Sequence, residues 1–282
     1  MSSKYFVFAM LFYTAVSCDA VVLNELSDYP SKIEPLGLLE LDELNKTYQS
    51  ENNDYICSTL NEYGFTGFSR VLFPNDVNPC LSKEVVRIEL SNSDSLVTVA
   101  KEALLQNKSY TNVADTSALT ISEVTPLPGC TICEGPDVNS VPIEWKISFS
   151  TQQLGGINVR ESEISVFIDA NGVNRIWGNW YPDFQAPGLI NIGYIEAQRL
   201  LIGWEFNMSS FTGENETFVV TEEHITEIPV LEFLPFKNEG FLELRKTWKV
   251  FISYPGEEFD GWVANVDVID GLLLEIEPQS SN

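Results

Sequence analysis

The sequence predicts an α+β protein in which two successive units each place a helix on an antiparallel sheet. Two observations carry this prediction. In the run 244–278, apolar and polar residues alternate through three short stretches, and the same succession recurs upstream in the run 143–177. Alternation with a period of two is typical of strands that bury one face of a sheet and expose the other. Each run also follows a segment with helical spacing, which favours a duplicated helix-plus-three-strand unit.

The downstream unit shows the alternation clearly. Its first strand places Trp248, Val250 and Ile252 on one face, while Lys249 and Ser253 fall on the other. Two further stretches continue the pattern, namely 262–268 and 272–276. The dipeptides between the stretches, Pro255-Gly256 and Asp270-Gly271, are typical of tight turns.

The upstream unit repeats this order. Residues 143–149 alternate in the same way, and residues 164–168 lead into the turn sequence Asp169-Ala170-Asn171-Gly172. Residues 173–177 then supply the return strand. This turn is better explained by a hairpin than by a calcium loop, because the remaining ligands of a calcium loop are absent. The two first strands share a Trp-Lys pair, Trp145-Lys146 and Trp248-Lys249, and both tryptophans are expected to be buried against their helices.

A helix is predicted before each set of strands. The first has apolar residues at helical spacing behind an N-cap residue, Ser93 or Asp94. These apolar residues are Leu96, Val97, Val99, Ala100, Ala103 and Leu104. The second follows Asn191, and its predicted core-facing stripe consists of Ile190, Tyr194, Ala197, Leu201 and Trp204.

These patterns divide the chain into four regions. They are a signal sequence over 1–18, an acidic tether with a loop-rich remainder over 19–84, a first unit over 85–181 and a second unit over 189–278. Leucines between 36 and 44 predict one short amphipathic helix within the tether. Short strands are also predicted over 85–90, 120–124, 217–221 and 230–233, whereas the segment 126–142, rich in Pro and Gly, predicts a loop.

The two sets of strands resemble known modules. The segment from Gly155, GGINVRESEISVFIDANGVNRIWG, resembles the FTP (fungalysin/thermolysin propeptide) motif, and the stretch 248–276 resembles the PepSY module. The resemblance implies cystatin-like or PepSY-like units that inhibit a secreted peptidase or assist its folding. In the thermolysin-like proteases this pair precedes a zinc peptidase. Here the sequence stops at Asn282 without one, so the resemblance predicts a free-standing module.

The charge of the chain excludes several functions. Forty-one acidic residues against sixteen basic ones give a net charge of −25 at pH 7. A protein that binds the phosphate backbone needs clustered Lys and Arg, so nucleic acid is not an expected partner. Anionic membrane surfaces are disfavoured for the same reason. Much of the acidity is expected to be solvated surface that keeps the protein soluble.

The N-terminus predicts export. An apolar run over 5–16 is too short for a membrane span and is typical of a signal peptide. The sequence Ala15-Val16-Ser17-Cys18 resembles a bacterial lipoprotein box, which implies acylation of Cys18 and a lipid anchor in the cell envelope. The alternative is cleavage near Ala20 by an ordinary signal peptidase, with secretion of the mature chain.

Four cysteines remain if Cys18 is set aside, and an even number suits disulfides in an oxidising compartment. The simplest pairing joins Cys57 to Cys80 and Cys130 to Cys133, and a crossed pairing stays open. The C-x-x-C spacing of the second pair also leaves a thiol-disulfide oxidoreductase as an alternative. That chemistry favours a helix N-terminus, whereas the sequence predicts a loop here.

No catalytic machinery is evident in the sequence. The single histidine, His224, lies beside two glutamates, and no H-E-x-x-H, G-x-S-x-G or P-loop motif occurs. No metal or cofactor is predicted. We therefore expect a non-enzymatic extracytoplasmic binding protein whose partner is a protein, such as a secreted peptidase, contacted through sheet surfaces or strand edges. The first alternative is a structural or adhesive surface protein. The sequence singles out no binding residue and no oligomeric state.

Overall fold

The computed structural model describes residues 29, 31–67, 93–132, 139–185, 188–210, 216–256 and 260–279. This part of the chain contains four α-helices and twelve strands, so the predicted mixed α+β class is confirmed. The helices are α1 (Leu38–Glu51), α2 (Ser93–Gln106), α3 (Lys108–Thr111) and α4 (Tyr194–Leu201). The strands are β1 (Thr120–Ile132), β2 (Asn139–Ser150), β3 (Gln153–Leu154), β4 (Ile157–Val159), β5 (Glu163–Asp169), β6 (Gly172–Asn179), β7 (Glu205–Asn207), β8 (Thr217–Val219), β9 (Val230–Asn238), β10 (Phe241–Ser253), β11 (Gly261–Asp267) and β12 (Leu273–Gln279).

The first sheet is a four-stranded antiparallel meander in the order β1-β2-β5-β6. Its alternating apolar residues face α2, as the sequence predicted. Leu96, Ala100 and Leu104 of the helix are buried against Ile147 and Val166 of the strands. Each of these five side chains is at most 2% exposed, so the first hydrophobic core lies between α2 and this sheet.

The second sheet has six strands in the order β12-β11-β10-β9-β4-β3. Strands β9 to β12 form another antiparallel meander, and α4 packs on β10 through Ala197 and Leu201. Strand β4 pairs in parallel with β9, although β3 and β4 come from the connection between β2 and β5. This hairpin joins the two halves of the molecule. Its strands of two and three residues are too short to produce a recognisable alternation in the sequence.

The region predicted as an acidic tether contributes to the first core in its described part. Helix α1 places Leu41, Leu44 and Tyr48 on one stripe, and Tyr48 is completely buried. Ile56 and Leu60 are buried in the same cluster. The tether prediction is corrected here, because spacings of three and four on a longer helix provide an apolar face in spite of the acidic composition.

The segment predicted as a loop over 126–142 is mostly strand. Strand β1 continues to Ile132, and β2 begins at Asn139. Pro126 and Pro128 are tolerated because β1 is an edge strand of its sheet, where the missing N–H groups need no partner. The register also shifts at three points along β1. The main chain of Cys130 therefore lies in a strand.

The two tryptophans predicted to be buried are only partly buried. Trp145 packs against the first core and Trp248 against the core beneath α4. The indole N–H of Trp248 donates to the Ile192 carbonyl at 2.7 Å. Several predictions fall outside the described residues, namely the signal sequence, acylation of Cys18, the strand over 85–90 and the side chains of Cys80 and Cys133.

Candidate protein-binding surface

Helix α4 is shorter than the sequence predicted. Glycines define both limits, because Gly193 precedes the helix in an extended conformation and Gly203 follows it with φ +85°. Of the predicted core-facing stripe, only Ala197 and Leu201 are buried. Ile190 and Trp204 lie beyond the helix and are each 43% exposed, so they cannot continue its buried face.

The result is an apolar surface around α4. Seven of the sixteen large apolar side chains that are exposed in the described residues lie between 189 and 204, so apolar exposure is concentrated in this part of the molecule. We call this set, with one residue of the neighbouring hairpin, the α4 surface. Its members are Leu189, Ile190, Tyr194, Ile195, Leu200, Ile202, Trp204 and Leu272. Concentrated apolar exposure on a soluble protein is typical of a site of protein–protein contact.

The α4 surface is held in place by main-chain hydrogen bonds. The N–H groups of Asn191 and Ile192 both donate to the Val268 carbonyl, at 2.9 and 2.8 Å. The side-chain amide of Asn191 also donates to the Ile269 carbonyl at 3.1 Å. With the bond from Trp248, these contacts fix the segment before α4 on the β11–β12 hairpin. A surface fixed before binding loses less conformational entropy when a partner docks.

The β11–β12 turn extends this surface toward an open strand edge. Gly271 has φ +74°, and a Cβ atom there would lie 3.0 Å from Leu200 Cδ1 and 3.6 Å from Ile192 Cδ1. Leu272 follows at 57% exposure and leads into β12, the outermost strand of the second sheet. Among the described residues no strand pairs with the outer side of β12.

Two of the outer strands, β1 and β12, differ in how far they permit a further strand to pair. Strand β1 carries two prolines and three register shifts. Both features disrupt a regular ladder and are common protections of an edge. Strand β12 has one register shift beside it and one proline, Pro278, near its end. Of these two edges, β12 is therefore the better suited to contact a partner.

Charged residues beside the α4 surface are mostly acidic. Glu196, Glu205 and Asp270 are exposed, and Arg199 is the neighbouring exposed cation. The surface therefore combines exposed apolar side chains with mostly acidic ones. A complementary protein would present apolar residues together with Lys and Arg.

The opposite face of the second sheet holds buried ions. Glu243 and Asp267 are completely buried, and Arg245 bonds to both, at 2.6 and 3.3 Å. The Tyr29 hydroxyl donates to Asp267 at 2.9 Å. Burial raises the pKa of Asp267 above its ordinary value and also raises the pKa of Tyr29. These residues lie on the side of the sheet away from α4, because alternate residues of a strand face opposite sides.

The single histidine has a local structural role. The Thr221 N–H donates to His224 Nδ1 at 3.0 Å, and the imidazole lies 4.6 Å from the Phe218 ring. His224 therefore closes the short 3₁₀ turn in which it lies. Across the described ranges, no group of three or more His, Cys, Asp or Glu side chains could hold a metal ion.

The cysteines are described only in part. Cys57 takes part in a disulfide bond. Cys130 contributes its main chain to β1, not to the N-terminus of a helix. Cys18, Cys80 and Cys133 lie outside the described residues, so the pairing of the four cysteines stays a prediction. Within the described ranges, no helix is long and apolar enough to cross a membrane.

Comparison with known proteins gives little further information. No family model matches the chain, and no curated protein matches it. One solved structure is similar in part: the C-terminal domain of YpeB from Bacillus megaterium is 10% identical, with 71% of each chain covered and a TM-score of 0.28.

Proposed function

We propose that this chain is a non-enzymatic, extracytoplasmic protein-binding module that docks a partner on the α4 surface. The observation that carries the proposal is the concentration of exposed apolar side chains around α4 in a chain of net charge −25. Leaving such a surface in water is unfavourable, whereas burying it against a protein contributes about 25 cal/mol per Å² of apolar area. The hydrogen bonds beneath α4 keep the surface in one arrangement.

The proposed partner is a folded protein that presents apolar residues together with basic ones. The acidic residues beside α4 would attract such a partner, which makes the rate of association dependent on salt. The resemblance of the strands to FTP and PepSY modules favours a secreted peptidase, inhibited or assisted in folding by this chain. In each half a helix precedes a four-stranded meander, which supports a tandem arrangement of two related units.

The proposed location is outside the cytoplasm. The disulfide at Cys57 supports an oxidising compartment. An acylated Cys18 would anchor the chain to the envelope through the residues that precede Tyr29, whereas cleavage near Ala20 would release it. N-terminal mass analysis of the native protein distinguishes these two cases.

The experiment is a titration of the purified protein with secreted peptidases from the same source. Ile195→Asp and Leu200→Asp place a charge within the α4 surface, and we expect each to weaken binding at least about tenfold, or 1.4 kcal/mol. Leu39→Asp is the matched control, because Leu39 is 83% exposed on α1, a helix that packs on the first core and not on the core beneath α4. Thermal melts verify that all three variants fold.

Two outcomes would contradict the proposal. Equal affinity of Ile195→Asp and Leu39→Asp would place the contact elsewhere on the molecule. The absence of any peptidase complex at low salt would favour the structural or adhesive alternative. The oxidoreductase alternative predicts turnover of a disulfide substrate that is lost in Cys130→Ser, but the strand position of Cys130 does not favour it.

A further inference from the structure

An open cleft lies where the two halves meet, on residues that the α4 surface does not include. Its volume is about 450 Å³, which is within the range of ligand sites. Five segments line it: the loop 61–67, the turn after β4, the end of β6 with the linker that follows, the end of β9 and the start of β10. The side chains used below are Glu62, Tyr63, Phe65, Glu161, Tyr181 and Lys237.

One wall of the cleft is aromatic. Tyr63 and Phe65 are stacked with ring centroids 6.1 Å apart and planes inclined by 22°. Tyr181 meets Phe65 edge to face at 6.3 Å. Phe65 and Tyr181 are buried, and they pack in one hydrophobic cluster with Val159, Phe233 and Leu244, which fixes this wall.

A strand edge lies along the cleft. Strand β4 pairs with β9 only at Glu232 and Phe233, and the Arg160 N–H donates to the Phe233 carbonyl at 2.9 Å. Main-chain groups of residues two and four positions further along β9 point to the same side. Lys237 therefore directs its N–H and carbonyl outward, and Pro235 directs its carbonyl alone, at positions where no described strand pairs with them. The chain leaves the sheet at Glu161, whose φ of +55° turns it away from β9.

A cation already lies in the cleft. Lys237 Nζ bonds to the Glu62 carboxylate and lies 5.7 Å from the centroid of the Tyr63 ring. The hydrogen bond raises the pKa of Lys237 and lowers the pKa of Glu62. A carboxylate beside an aromatic face is a favourable site for an ammonium or guanidinium group. Glu161 adds a second carboxylate whose side chain is 69% exposed.

From this geometry we propose that the cleft binds an extended peptide segment by strand addition to β9, with a Lys or Arg side chain between Glu62 and Tyr63. The peptide continues the sheet where β4 leaves it, and its cation displaces Lys237, which occupies the same position in the free protein. Main-chain hydrogen bonds would supply affinity and the cation site would supply specificity. The proposal goes beyond the α4 surface, because it concerns another site and another class of ligand.

The experiment uses a fluorescein-labelled, N-acetylated and C-amidated peptide, Val-Thr-Arg-Val-Thr, followed by fluorescence anisotropy at low salt. A second peptide replaces Arg by citrulline, which keeps the shape of the side chain and removes its charge. We expect the Arg peptide to bind at least about tenfold more tightly than the citrulline peptide. Glu62→Gln should abolish that preference, and Lys237→Met should strengthen binding of the Arg peptide several-fold by removing the internal competitor.

The matched control is Glu223→Gln, which makes the same change of net charge at an exposed site near His224, outside the cleft. It should leave the preference for Arg unchanged. Because Glu62 and Lys237 are 50% and 65% exposed, their variants are expected to fold, and melts verify this. Two further peptides, N-methylated at the central residue or at the residue after it, place the methyl group on opposite sides of the strand, so one of them should lose affinity if strand pairing occurs.

Several outcomes would overturn the proposal. They are equal affinity for the Arg and citrulline peptides, no saturable binding of the Arg peptide, and weaker or unchanged binding by Lys237→Met. Full affinity of both N-methylated peptides would exclude strand addition. Ile195→Asp should leave peptide binding unchanged, so a failure at the cleft is distinguishable from a failure at the α4 surface.

Discussion

The third strand of each antiparallel meander ends in a buried aspartate, and the two aspartates have similar neighbours. Each carboxylate accepts the N–H of the residue two positions further along, at 2.8 Å in the first sheet and 2.7 Å in the second. Each also accepts a tyrosine hydroxyl from the N-terminal part of the chain. The pairs are Asp169 with Tyr55, at 2.5 Å in the first sheet, and Asp267 with Tyr29, at 2.9 Å in the second.

The cations around these aspartates differ. In the first cluster Arg175 bonds to Glu144 at 2.9 Å, and the Asn174 amide bridges Glu144 and Asp169. The second cluster has two cations for its two carboxylates. Arg245 bonds to both Glu243 and Asp267, and Lys32 lies 2.8 Å from Glu243.

The difference shows that a buried aspartate at the end of the third meander strand can be stabilised either by cations or by neutral hydrogen-bond donors. The second cluster balances its charges with Lys32 from the N-terminal segment, whereas the first relies on neutral donors such as Asn174 and Tyr55. Burial raises the pKa of Glu144 and lowers the pKa of Arg175, and it raises the pKa of Tyr55 to about 12. The first cluster therefore has two carboxylates and one cation. We expect its contribution to the free energy of unfolding to depend more strongly on pH than that of the second cluster.

The largest expected effect comes from removing the central guanidinium of the second cluster. Arg245→Met leaves Glu243 and Asp267, both completely buried, without their shared partner. Breaking a buried ion pair typically costs about 3–5 kcal/mol in the free energy of unfolding. Arg175→Met should cost less, because Glu144 keeps its bond to Asn174. Urea denaturation at pH 7 measures both values, and an equal or larger loss for Arg175→Met would contradict the comparison.

The next largest effect is the loss of stability when Trp248 or Trp145 is replaced by alanine. Trp248→Ala should cost about 3 kcal/mol, at the lower end of the range for large aromatic deletions, because Trp248 is only partly buried. It also removes the hydrogen bond to Ile192, which supports the segment before α4. The indole N–H of Trp145 is buried without a partner among the described residues, so Trp145→Ala loses no such bond and should cost less.

Chemical denaturation of the two tryptophan variants gives the comparison directly. Trp248→Ala should in addition weaken partner binding, since Ile192 and its neighbours lose their support. A variant that melts like the wild type and binds equally well would show that Trp248 does not position the α4 surface.

The sequence predicts the strands well because alternation is a local property. Strands β2, β5, β6, β10, β11 and β12 all occur where residues alternate, and α2 occurs where apolar residues repeat at helical spacing. The β3–β4 hairpin has too few residues to alternate, and β1 was predicted to end before Pro126 because an edge position is not visible in the sequence.

The candidate sites are less predictable, for a physical reason. Ile190, Tyr194 and Trp204 of the α4 surface belong to the stripe that the sequence predicts to be buried. Gly193 and Gly203 bound the helix and leave Ile190 and Trp204 outside it. Ile195 and Leu200 do not belong to that stripe, and both are exposed on α4. The cleft depends on segments that are far apart in the chain, such as the loop at Glu62 and the strand at Lys237. Long-range pairing of this kind has no local pattern.

A smaller effect compares the two tyrosine hydroxyls. Tyr29→Phe removes a donor to the buried Asp267 and should cost about 1.5–3 kcal/mol, the range for hydrogen bonds to charged groups. Tyr55→Phe should cost about 1 kcal/mol, because Tyr55 is less buried and Asp169 keeps the amide of Asn174. Urea denaturation of the two variants provides the measurement. The opposite order would show that the Tyr55 hydroxyl contributes more than the Tyr29 hydroxyl, which would contradict the comparison.

The smallest expected effect is on the pH dependence of stability. Because burial raises the pKa of Glu144, the folded protein holds that proton to higher pH than the unfolded chain, whose Glu pKa is about 4.3. In the window above about 4.3, unfolding releases the proton, so this residue lowers the free energy of unfolding as pH rises. Glu144→Gln removes the titrating group and should flatten that decline, and Asp267→Asn should act in the same direction from about 3.9 upward.

Urea denaturation at several pH values between 4 and 7 measures the slopes. We expect the larger change for Glu144→Gln, because its cluster has one cation for two carboxylates. Slopes as steep as that of the wild type in both variants would show that neither buried carboxyl controls the pH dependence.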